Sequence, residues 1–472
     1  MMNRNFVSDA LRAALGKRCP AWARALLAAA ATLVFAVFAC NARYAMMDQY
    51  ADFLYAQIHT ITVVVFTAIF AVSIAVQMKA AGRLPLSMLL VLSVITGAVL
   101  LAKISLLDYV SDDYDIFLSN WIYSYTGMGI REGLGTYIQS DYTPPYLYLL
   151  LLISRLPDYP WLYLIKAASI LCEILLGYAV MRLAALRLRG DAAPLLLFHI
   201  AQILPTVVFN GAYWGQCDVF YTSLCLLGLW LALRDHPVHS MLCFGVALSL
   251  KLQAVFFFPV LLPLWLRKKV KLRHLLMIPV GYMAMMVPAL WGGKSLHHVL
   301  TVYLQQAGAY NFMTVNAPNL YQLLPSAIDR EAFFSMFGSM AMCLAFAALA
   351  AACLAVCMKR EALSQESTVL FALLVLSLVP YCLPKMHERY TFGADVLSLV
   401  AAAYNPQRIV LPLLFGLASY ISYTAGLPGD VVMDMRWAAL AQTAAIALTA
   451  AALWRTLNAP CDARCATEVK AL

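Results

Sequence analysis

Apolar residues lie along this chain in long runs, which short polar segments separate. A helix needs about 20 apolar residues to cross a bilayer, and twelve runs approach or reach that length. These runs are residues 25–40, 58–76, 84–106, 161–181, 193–209, 219–233, 275–291, 341–357, 369–383, 392–404, 409–423 and 437–454. Because helices satisfy their own backbone hydrogen bonds in lipid, the pattern predicts an all-α polytopic membrane protein.

Two further apolar stretches are shorter or interrupted. Residues 145–153 are too few to span a bilayer, and they predict an interfacial or re-entrant half-helix. Residues 240–266 contain Lys251 and predict two short passes that meet near the outer face. The layout gives a bundle of about 12–14 transmembrane helices, with short interfacial helices and two long outer loops at residues 107–144 and 292–330.

The composition excludes several classes of protein. Of 472 residues, 63% are hydrophobic and 12% are charged, and the mean hydropathy is +0.78. Soluble globular proteins carry about 25% charged residues, so a water-soluble enzyme, a disordered protein and a secreted disulfide scaffold are excluded. The net charge of +9 comes from Lys and Arg residues that mainly set orientation, and none of them form a patch typical of nucleic-acid binding.

Charge also predicts the orientation. If the N-terminus is inside, most of the 33 Lys and Arg residues fall in inner segments, as the positive-inside rule requires. We therefore expect a multi-pass protein of the cell membrane, with both termini cytoplasmic. The polar motifs described below then all fall on the outer face.

The first long outer loop opens with an acidic cluster. Asp108, Asp112, Asp113 and Asp115 lie close together there. A carboxylate among others near an apolar surface is suited to act as a general base. The alternative is a solvated loop start without a chemical role. Tyr142, at the end of the loop, precedes two prolines that are typical of a helix start.

Polar residues also interrupt the apolar pattern further along. Trp214, Gln216 and Asp218 lie together at an outer boundary, where a carboxylate near membrane depth needs a partner. Lys251 is followed closely by Gln253 within an apolar stretch. This lysine either faces an anion or a water-filled cavity, or it extends to the membrane interface.

A basic motif and an amide-rich loop complete the candidates. Lys385, His387 and Arg389 lie within five residues and predict a phosphate site, whereas a structural ion pair of Glu388 is the alternative. The second long outer loop contributes candidate sugar-binding amides and an aromatic ring, although ordinary turn chemistry gives a similar composition. These residues are Gln306, Asn316, Asn319 and Tyr321.

Several of these stretches together resemble GT-C-fold glycosyltransferases, in particular the bacterial relatives of the eukaryotic GPI mannosyltransferase II. They are residues 111–121 (SDDYDIFLSNW), 142–149 (YTPPYLYL), 205–222 (PTVVFNGAYWGQCDVFYT), 245–259 (GVALSLKLQAVFFFP), 302–325 (VYLQQAGAYNFMTVNAPNLYQLLP) and 383–394 (LPKMHERYTFGA). The resemblance implies a GT-C core at residues 84–404. Residues 1–83 would then be a cytoplasmic tail with two extra transmembrane helices, and residues 405–472 the C-terminal helices and tail.

The resemblance implies a mannosyltransferase-like enzyme that moves a hexose from a polyprenyl-phosphate sugar to a lipid or glycan acceptor. Such folds place a catalytic aspartate in the first outer loop of the core, which assigns that role to Asp113, with Asp115 as second choice. The expected mechanism is a single inverting displacement in which this aspartate is the general base. The spacing of the two aspartates also suits a divalent metal, but this fold commonly does without one, so no cofactor is expected.

The other expected roles follow from the same resemblance and from the motifs above. The expected phosphate-binding residues are Lys251, Lys385, His387 and Arg389. The expected substrate-binding residues are Tyr142, Trp214, Gln216, Asp218, Gln253, Gln306, Asn316, Asn319 and Tyr321. Membrane lipids are expected partners, and nucleic acid is not.

Other functions fit part of the pattern. A transporter or flippase of lipid-linked sugars would also need intramembrane charge and broken helices, but not a carboxylate base in the first outer loop. A polysaccharide polymerase would add preassembled repeat units. A membrane scaffold without activity would not need polar motifs gathered on one face.

Overall fold

The computed structural model describes residues 21–41, 52–80, 85–140, 142–308, 312–325, 330–427 and 432–459. Within these ranges the chain is almost entirely helical, which confirms the predicted all-α membrane fold. The only strands in the described ranges are β1 (Thr314–Val315) and β2 (Met386–His387), which pair in parallel.

Three helices form the N-terminal part of the bundle. They are α1 (Ala21–Cys40), α2 (Asp52–Ala80) and α3 (Leu86–Ile104). They share an apolar cluster with residues of two later helices, among them Ile170 and Phe198, and within it the rings of Phe35 and Phe70 stack with centroids 4.6 Å apart. Thr62 of α2 hydrogen-bonds at 2.6 Å to the Tyr159 hydroxyl, which lies just before the first long core helix. This contact ties the N-terminal helices to the rest of the bundle.

The middle of the chain forms ten helices and four irregular helical segments. The helices are α4 (Ser119–Tyr123), α5 (Ile130–Gly135), α6 (Pro144–Ile153), α7 (Trp161–Ala184), α8 (Ala192–Ile203), α9 (Pro205–Val207), α10 (Asp218–Leu233), α11 (Pro237–Leu250), α12 (Leu261–Leu266) and α13 (Met277–Gly292). The irregular segments are π-helical at Tyr114–Leu118 and Val208–Trp214, and 3₁₀-helical at Leu252–Val260 and Leu272–Leu276.

The remaining helices complete the bundle. They are α14 (Leu296–Gly308), α15 (Arg330–Met358), α16 (Gln365–Cys382), α17 (Phe392–Tyr404), α18 (Val410–Gly426) and α19 (Met435–Asn458). Short 3₁₀ turns occupy Leu320–Leu323, Arg360–Ala362 and Pro406–Ile409. Both predicted long loops therefore contain regular structure in their described residues.

Nine helices in the described ranges are long and apolar enough to cross a membrane, so the protein is a multi-pass membrane protein. They are Ala21–Cys40, Tyr55–Ala80, Leu86–Ile104, Trp161–Ala184, Leu272–Gly292, Glu331–Met358, Gln365–Cys382, Pro406–Gly426 and Met435–Asn458. The fourteen predicted passes correspond one to one with helices of the structure. Nine correspond to these long helices, one to a bent pair of helices, and four to four of the five shorter apolar helices. The fifth short helix is α6, whose ten residues confirm that it is too short to span.

Prolines explain where the helices break. Leu204 precedes Pro205 and adopts an extended ψ of 137°, because the proline ring excludes the helical conformation from the residue before it. The α8 axis therefore bends by 51° before the chain continues through α9. Pro144 begins α6, where the missing N–H of proline costs no hydrogen bond.

One end of the bundle collects most of the breaks. Seven helix ends meet there, as their contacts show. They are the carboxyl ends of α3, α11, α16 and α18 and the amino ends of α7, α10 and α17. The main apolar cluster lies below this end and includes Leu411 and Phe415 of α18 and Ala445 of α19. The C-terminal helices thus share one core with the middle of the chain.

Candidate active site

A left-handed glycine builds the centre of this end of the bundle. The π-helical segment Val208–Trp214 stops at Gly215, whose φ of +85° is a conformation that residues with a side chain rarely adopt. The turn lets the Gln216 N–H donate to the Asn210 carbonyl at 2.8 Å. Asp218 then begins α10. The break therefore brings the side chains of Asn210, Gln216 and Asp218 to one place.

A buried lysine fixes the start of the first long loop. The Lys166 ammonium, on α7, donates to the backbone carbonyls of Leu106, Leu107 and Tyr109 at 2.9, 3.0 and 2.8 Å. These three carbonyls follow the end of α3, where helical partners are missing. The contacts hold the backbone that leads to the acidic cluster.

Asp113 lies at the start of the π-helical segment Tyr114–Leu118 and faces the turn described above. Ser111 anchors this part of the loop by donating its hydroxyl to the Trp214 carbonyl at 3.1 Å. The Asp113 carboxylate accepts a hydrogen bond from the Gln216 amide. It keeps 31% of its side-chain surface exposed, and its Oδ2 lies 4.0 Å from a terminal nitrogen of Arg389. Asp113 is thus both held in place and accessible.

Asp218 is the buried counterpart of Asp113. Its side chain is fully buried, and its Oδ1 accepts from the Lys251 ammonium at 2.6 Å. Its Oδ2 accepts from the Asn210 amide at 2.8 Å and lies 3.7 Å from Nε of Arg389. Such complete pairing offsets the large cost of removing these charges from water.

Arg389 connects the two aspartates. Its guanidinium lies over the Trp214 ring, 4.9 Å from the centroid, and one terminal nitrogen lies 3.1 Å from a carboxylate oxygen of Glu388. Three carboxylates therefore surround one partly exposed guanidinium. The planar fork of arginine donors is suited to hold several oxygens at once.

The β1–β2 pair sets the position of this arginine, and it buries its neighbour His387. Burial, together with the positive charges of Arg389 and Lys251, lowers the pKa of His387 to about 3, so the ring is neutral at physiological pH. Burial raises the pKa of Glu388, against the opposing effect of Arg389. The positive charge of this motif at the site therefore comes from Arg389.

A cavity of about 530 Å³ opens above these residues. Its polar lining consists of Asp113, Gln139, Ser140, Gln216 and Arg389. Its aromatic lining consists of Phe117, Trp121, Tyr137 and Tyr142. The Tyr142 hydroxyl donates to Oε1 of Gln216 at 3.3 Å. Gln216 therefore has both ends of its amide engaged, which fixes the orientation of the N–H group that it donates to Asp113.

The structure brings together most of the residues that the sequence indicated. Asp113, Tyr142, Gln216 and Arg389 line the cavity, and Asp218 lies directly behind it. Trp214 packs under Arg389, and Lys251 lies 5.9 Å from the Tyr142 ring centroid while it pairs with Asp218. Gln253 is buried two residues after Lys251.

Other predicted site residues lie outside the cavity lining. Asp115 is exposed, and the Lys385 ammonium lies over the Phe334 ring at 5.0 Å. Asn319 caps the turn Leu320–Leu323 by accepting from the Tyr321 N–H at 3.2 Å.

Three members of the second long loop remain to be placed. The buried Tyr321 donates its hydroxyl to the Cys382 carbonyl. Asn316 has its amide near Gly426 and the Glu388 side chain. Gln306 lies in α14, but its side chain is outside the described residues.

Sequence reasoning assigned no role to Asn210, Lys166 or Tyr423. Asn210 joins the Asp218 carboxylate to the Tyr423 hydroxyl, to which it donates at 3.1 Å. Lys166 could have been identified from the sequence, because a lysine in an apolar span needs a partner. Tyr423 could not, since it comes from a helix 213 positions further along the chain than Asn210.

The described residues contain no group of three or more His, Cys, Asp or Glu side chains arranged to hold a metal ion. Asp113 and Arg389, whose nearest carboxylate and guanidinium atoms are 4.0 Å apart, both line the cavity. The arrangement can accept a proton at Asp113 and stabilise a neighbouring anion at Arg389.

Comparison with known proteins agrees with a transferase of sugars. No curated protein matches the chain. The sequence profile of glycosyltransferase family 87 (GT87) matches residues 141–384, which is just over half of the chain and includes the 216–218 turn, Lys251 and the second long loop. The chain therefore belongs to glycosyltransferase family 87.

Proposed function

We propose that this membrane glycosyltransferase moves a hexose, with mannose the first candidate, from a polyprenyl-phosphate donor to an alcohol of a lipid or glycan. The observation that carries the proposal is the facing pair Asp113 and Arg389, which lie 4.0 Å apart in one cavity. Both residues line the same cavity, so a carboxylate suited to act as a base and a fixed cation suited to bind the leaving phosphate are available to one bound substrate.

Asp113 is the proposed general base. Its exposed surface allows an acceptor hydroxyl to approach, and the Gln216 amide holds the carboxylate in one orientation. As the acceptor oxygen forms its bond to the anomeric carbon, the hydroxyl proton passes to Asp113. Proton removal in the transition state contributes about 10²–10⁴-fold to rate.

Arg389 is the proposed partner of the leaving group. When the bond between the anomeric carbon and the phosphate oxygen breaks, its electron pair stays on the lipid phosphate. Arg389 can meet that growing charge with donors that Trp214 and Glu388 already hold in position. Such preorganised donors stabilise a transition state without further reorganisation.

Lys251 and Asp218 act behind the first contacts. Lys251 is only 4% exposed and is paired with Asp218, which in turn lies against Arg389. We assign this pair to fixing the arginine and to balancing the charge around it. His387, neutral and buried, supports the same segment, and Lys385 remains a candidate phosphate ligand further from the cavity.

The aromatic wall suits a sugar and a lipid. Trp121 and Tyr142 contact each other edge to face with ring centroids 5.7 Å apart, and Tyr137 also lines the cavity. Aromatic rings present flat apolar surface on which a pyranose ring can stack. Phe117 is 45% exposed at the cavity edge, which would give a polyprenyl chain apolar contact where it leaves the site.

The orientation follows from charge. Arg182, Lys79 and Lys269 lie at the helix ends away from Asp113, whereas the acidic residues of the first long loop lie at the near end. The positive-inside rule places the far end in the cytoplasm. The proposed reaction then takes place on the outer face of the cell membrane.

A donor test decides the class of substrate. Purified protein in liposomes receives either a polyprenyl-phosphate hexose or the matching nucleotide hexose, together with a membrane lipid extract as acceptor. We expect sugar transfer from the polyprenyl-phosphate donor only, and loss of that transfer in Arg389→Gln. Transfer from the nucleotide sugar, with none from the lipid donor, would overturn the proposal.

A further inference from the structure

A second cavity lies far from the site, between an N-terminal helix and a core helix. Its volume is about 570 Å³, and residues of α2 and α7 line it. α2 and α7 contribute Lys79 and Arg182 from their last turns, at the helix ends away from Asp113. None of the proposed catalytic or substrate-binding residues lines this cavity.

Lys79 and Arg182 are the two cations that line this cavity. Among the described residues, neither Lys79 nor Arg182 forms a salt bridge, and Nε of Arg182 is buried without a hydrogen-bond partner. The Arg182 guanidinium lies over the rings of Trp230 and Tyr178, 4.8 and 5.8 Å from their centroids. One face of this site is thus a fixed guanidinium that can accept an anion.

The rest of the cavity is apolar and elongated. Val72 of α2 and Leu171 of α7 line it, together with Ile174 and Leu175. At 1.5 Å per residue, the stretch from Leu171 to Arg182 extends about 16 Å along the helix. That length matches one leaflet of a hydrocarbon core, which is about 15 Å deep. The cavity therefore offers room for an acyl chain below a headgroup position.

We propose that this cavity binds an anionic phospholipid, whose phosphate contacts Lys79 and Arg182 while an acyl chain fills the apolar part. Free phosphate would use only the cations, and a neutral lipid would use only the groove. A lipid with net negative charge uses both. Bound there, it would join the N-terminal helices to α7 on the face opposite the proposed active site.

Lipid binding to the delipidated full chain in detergent tests this proposal. The probes are phosphatidylglycerol, phosphatidylcholine with the same acyl chains, and glycerol phosphate, and native mass spectrometry or thermophoresis measures the affinity. We expect phosphatidylglycerol to bind at least about 10-fold more tightly than either of the other two. Equal binding of phosphatidylcholine, or displacement of the lipid by equimolar glycerol phosphate, would contradict the proposal.

Variants locate the binding to this cavity. Each basic residue near an anionic surface contributes roughly a 5-fold factor, so Lys79→Gln with Arg182→Gln should weaken phosphatidylglycerol binding about 10–30-fold. Lys269→Gln is the matched control, because Lys269 lies at the same end but is paired with Asp235 at 2.8 Å. Lys79→Gln alone, which changes an exposed side chain, should still weaken binding if Arg182→Gln fails to fold. Unchanged affinity in Lys79→Gln and in the double variant would overturn the assignment.

Discussion

Two buried lysine–carboxylate pairs in this protein have different surroundings. Lys103 of α3 pairs with Glu173 of α7, and both side chains are almost completely buried. Lys251 pairs with Asp218 at 2.6 Å and is equally buried. The first pair lies between two helices, whereas the second touches Arg389, which in turn reaches Asp113 and the cavity.

The difference separates scaffold from site. A Cβ at position 211 would come within 2.6 Å of Oε1 of Glu173, so Gly211 allows the π-helical segment to pack directly on this pair. Because both side chains of the Lys103–Glu173 pair are almost completely buried, this pair is suited to holding helices together. The Lys251–Asp218 pair contacts Arg389, which in turn lies near the partly exposed carboxylate of Asp113. Because this series of charged residues ends in a cavity, it can act on a substrate.

The largest expected effect comes from changing Asp113, the exposed end of the series of charged residues that runs from Lys251 through Asp218 and Arg389. Asp113→Asn keeps the shape of the side chain but removes the proposed base, so transfer should fall about 10²–10⁴-fold. Initial rates in liposomes measure this. Asp115→Asn is the matched control, since Asp115 is exposed and does not line the cavity. Equal losses in the two variants would remove the distinction between them.

The next largest effect is expected at the Lys103–Glu173 pair, where a change should lower the stability of the folded protein. Glu173→Gln leaves Lys103 buried without a charged partner, and breaking such a pair costs about 3–5 kcal/mol. Thermal unfolding in detergent should show the loss, and replacing both residues by Met should restore most of it. A stable Glu173→Gln protein with low specific activity would mean that this pair also belongs to the site.

A conservative change at Arg389, which connects Asp218 to Asp113, should have a slightly smaller effect. Arg389→Lys keeps the charge but loses the fork that faces Asp113, Asp218 and Glu388, so transfer should fall about 10²–10³-fold. The thermal unfolding curve should change little by comparison. Wild-type transfer in this variant would show that a point charge is enough at this position.

The smallest expected effect is a pH dependence of stability. His387 has a pKa of about 3 in the folded protein against 6.5 for an ordinary histidine, so only the unfolded chain takes up a proton between these values. Stability should fall as pH drops below about 6.5, by at most about 1.4 kcal/mol per pH unit.

His387→Gln isolates this contribution. Glu388, whose raised pKa acts in the opposite direction, is present in both proteins. Melting temperatures at pH 7 and pH 5 should therefore differ less in the variant than in the wild type. The same pH dependence in both proteins would rule out His387 as its source.

The sequence was sufficient to predict the helices but not all of their breaks. Runs of about 20 apolar residues have few alternatives to a membrane helix. The short length of α6 also followed from the sequence. The π-helical turn before Gly215 did not, because it depends on a close contact between Gly211 and Glu173 on another helix.

The same distinction applies to the site. The acidic cluster, Gln216 and Arg389 were identifiable because polar residues at the ends of apolar runs need a reason to be there. The choice of Asp113 within that cluster came from the resemblance to GT-C-fold glycosyltransferases. Their pairing was not predictable, since hydrogen bonds and ion pairs between distant segments depend on packing. Lys251 was expected to bind phosphate directly, but in the structure its ammonium is committed to Asp218.

The stereochemistry of transfer tests the central claim most directly. If one carboxylate, Asp113, removes the acceptor proton while the phosphate leaves, the product must have the anomeric configuration opposite to that of the donor. NMR of the product formed from a polyprenyl-phosphate hexose of known configuration gives the answer. We predict inversion. Retention of configuration would require either two successive displacements or attack from the face that the phosphate leaves, and it would contradict the single inverting displacement at Asp113 and Arg389.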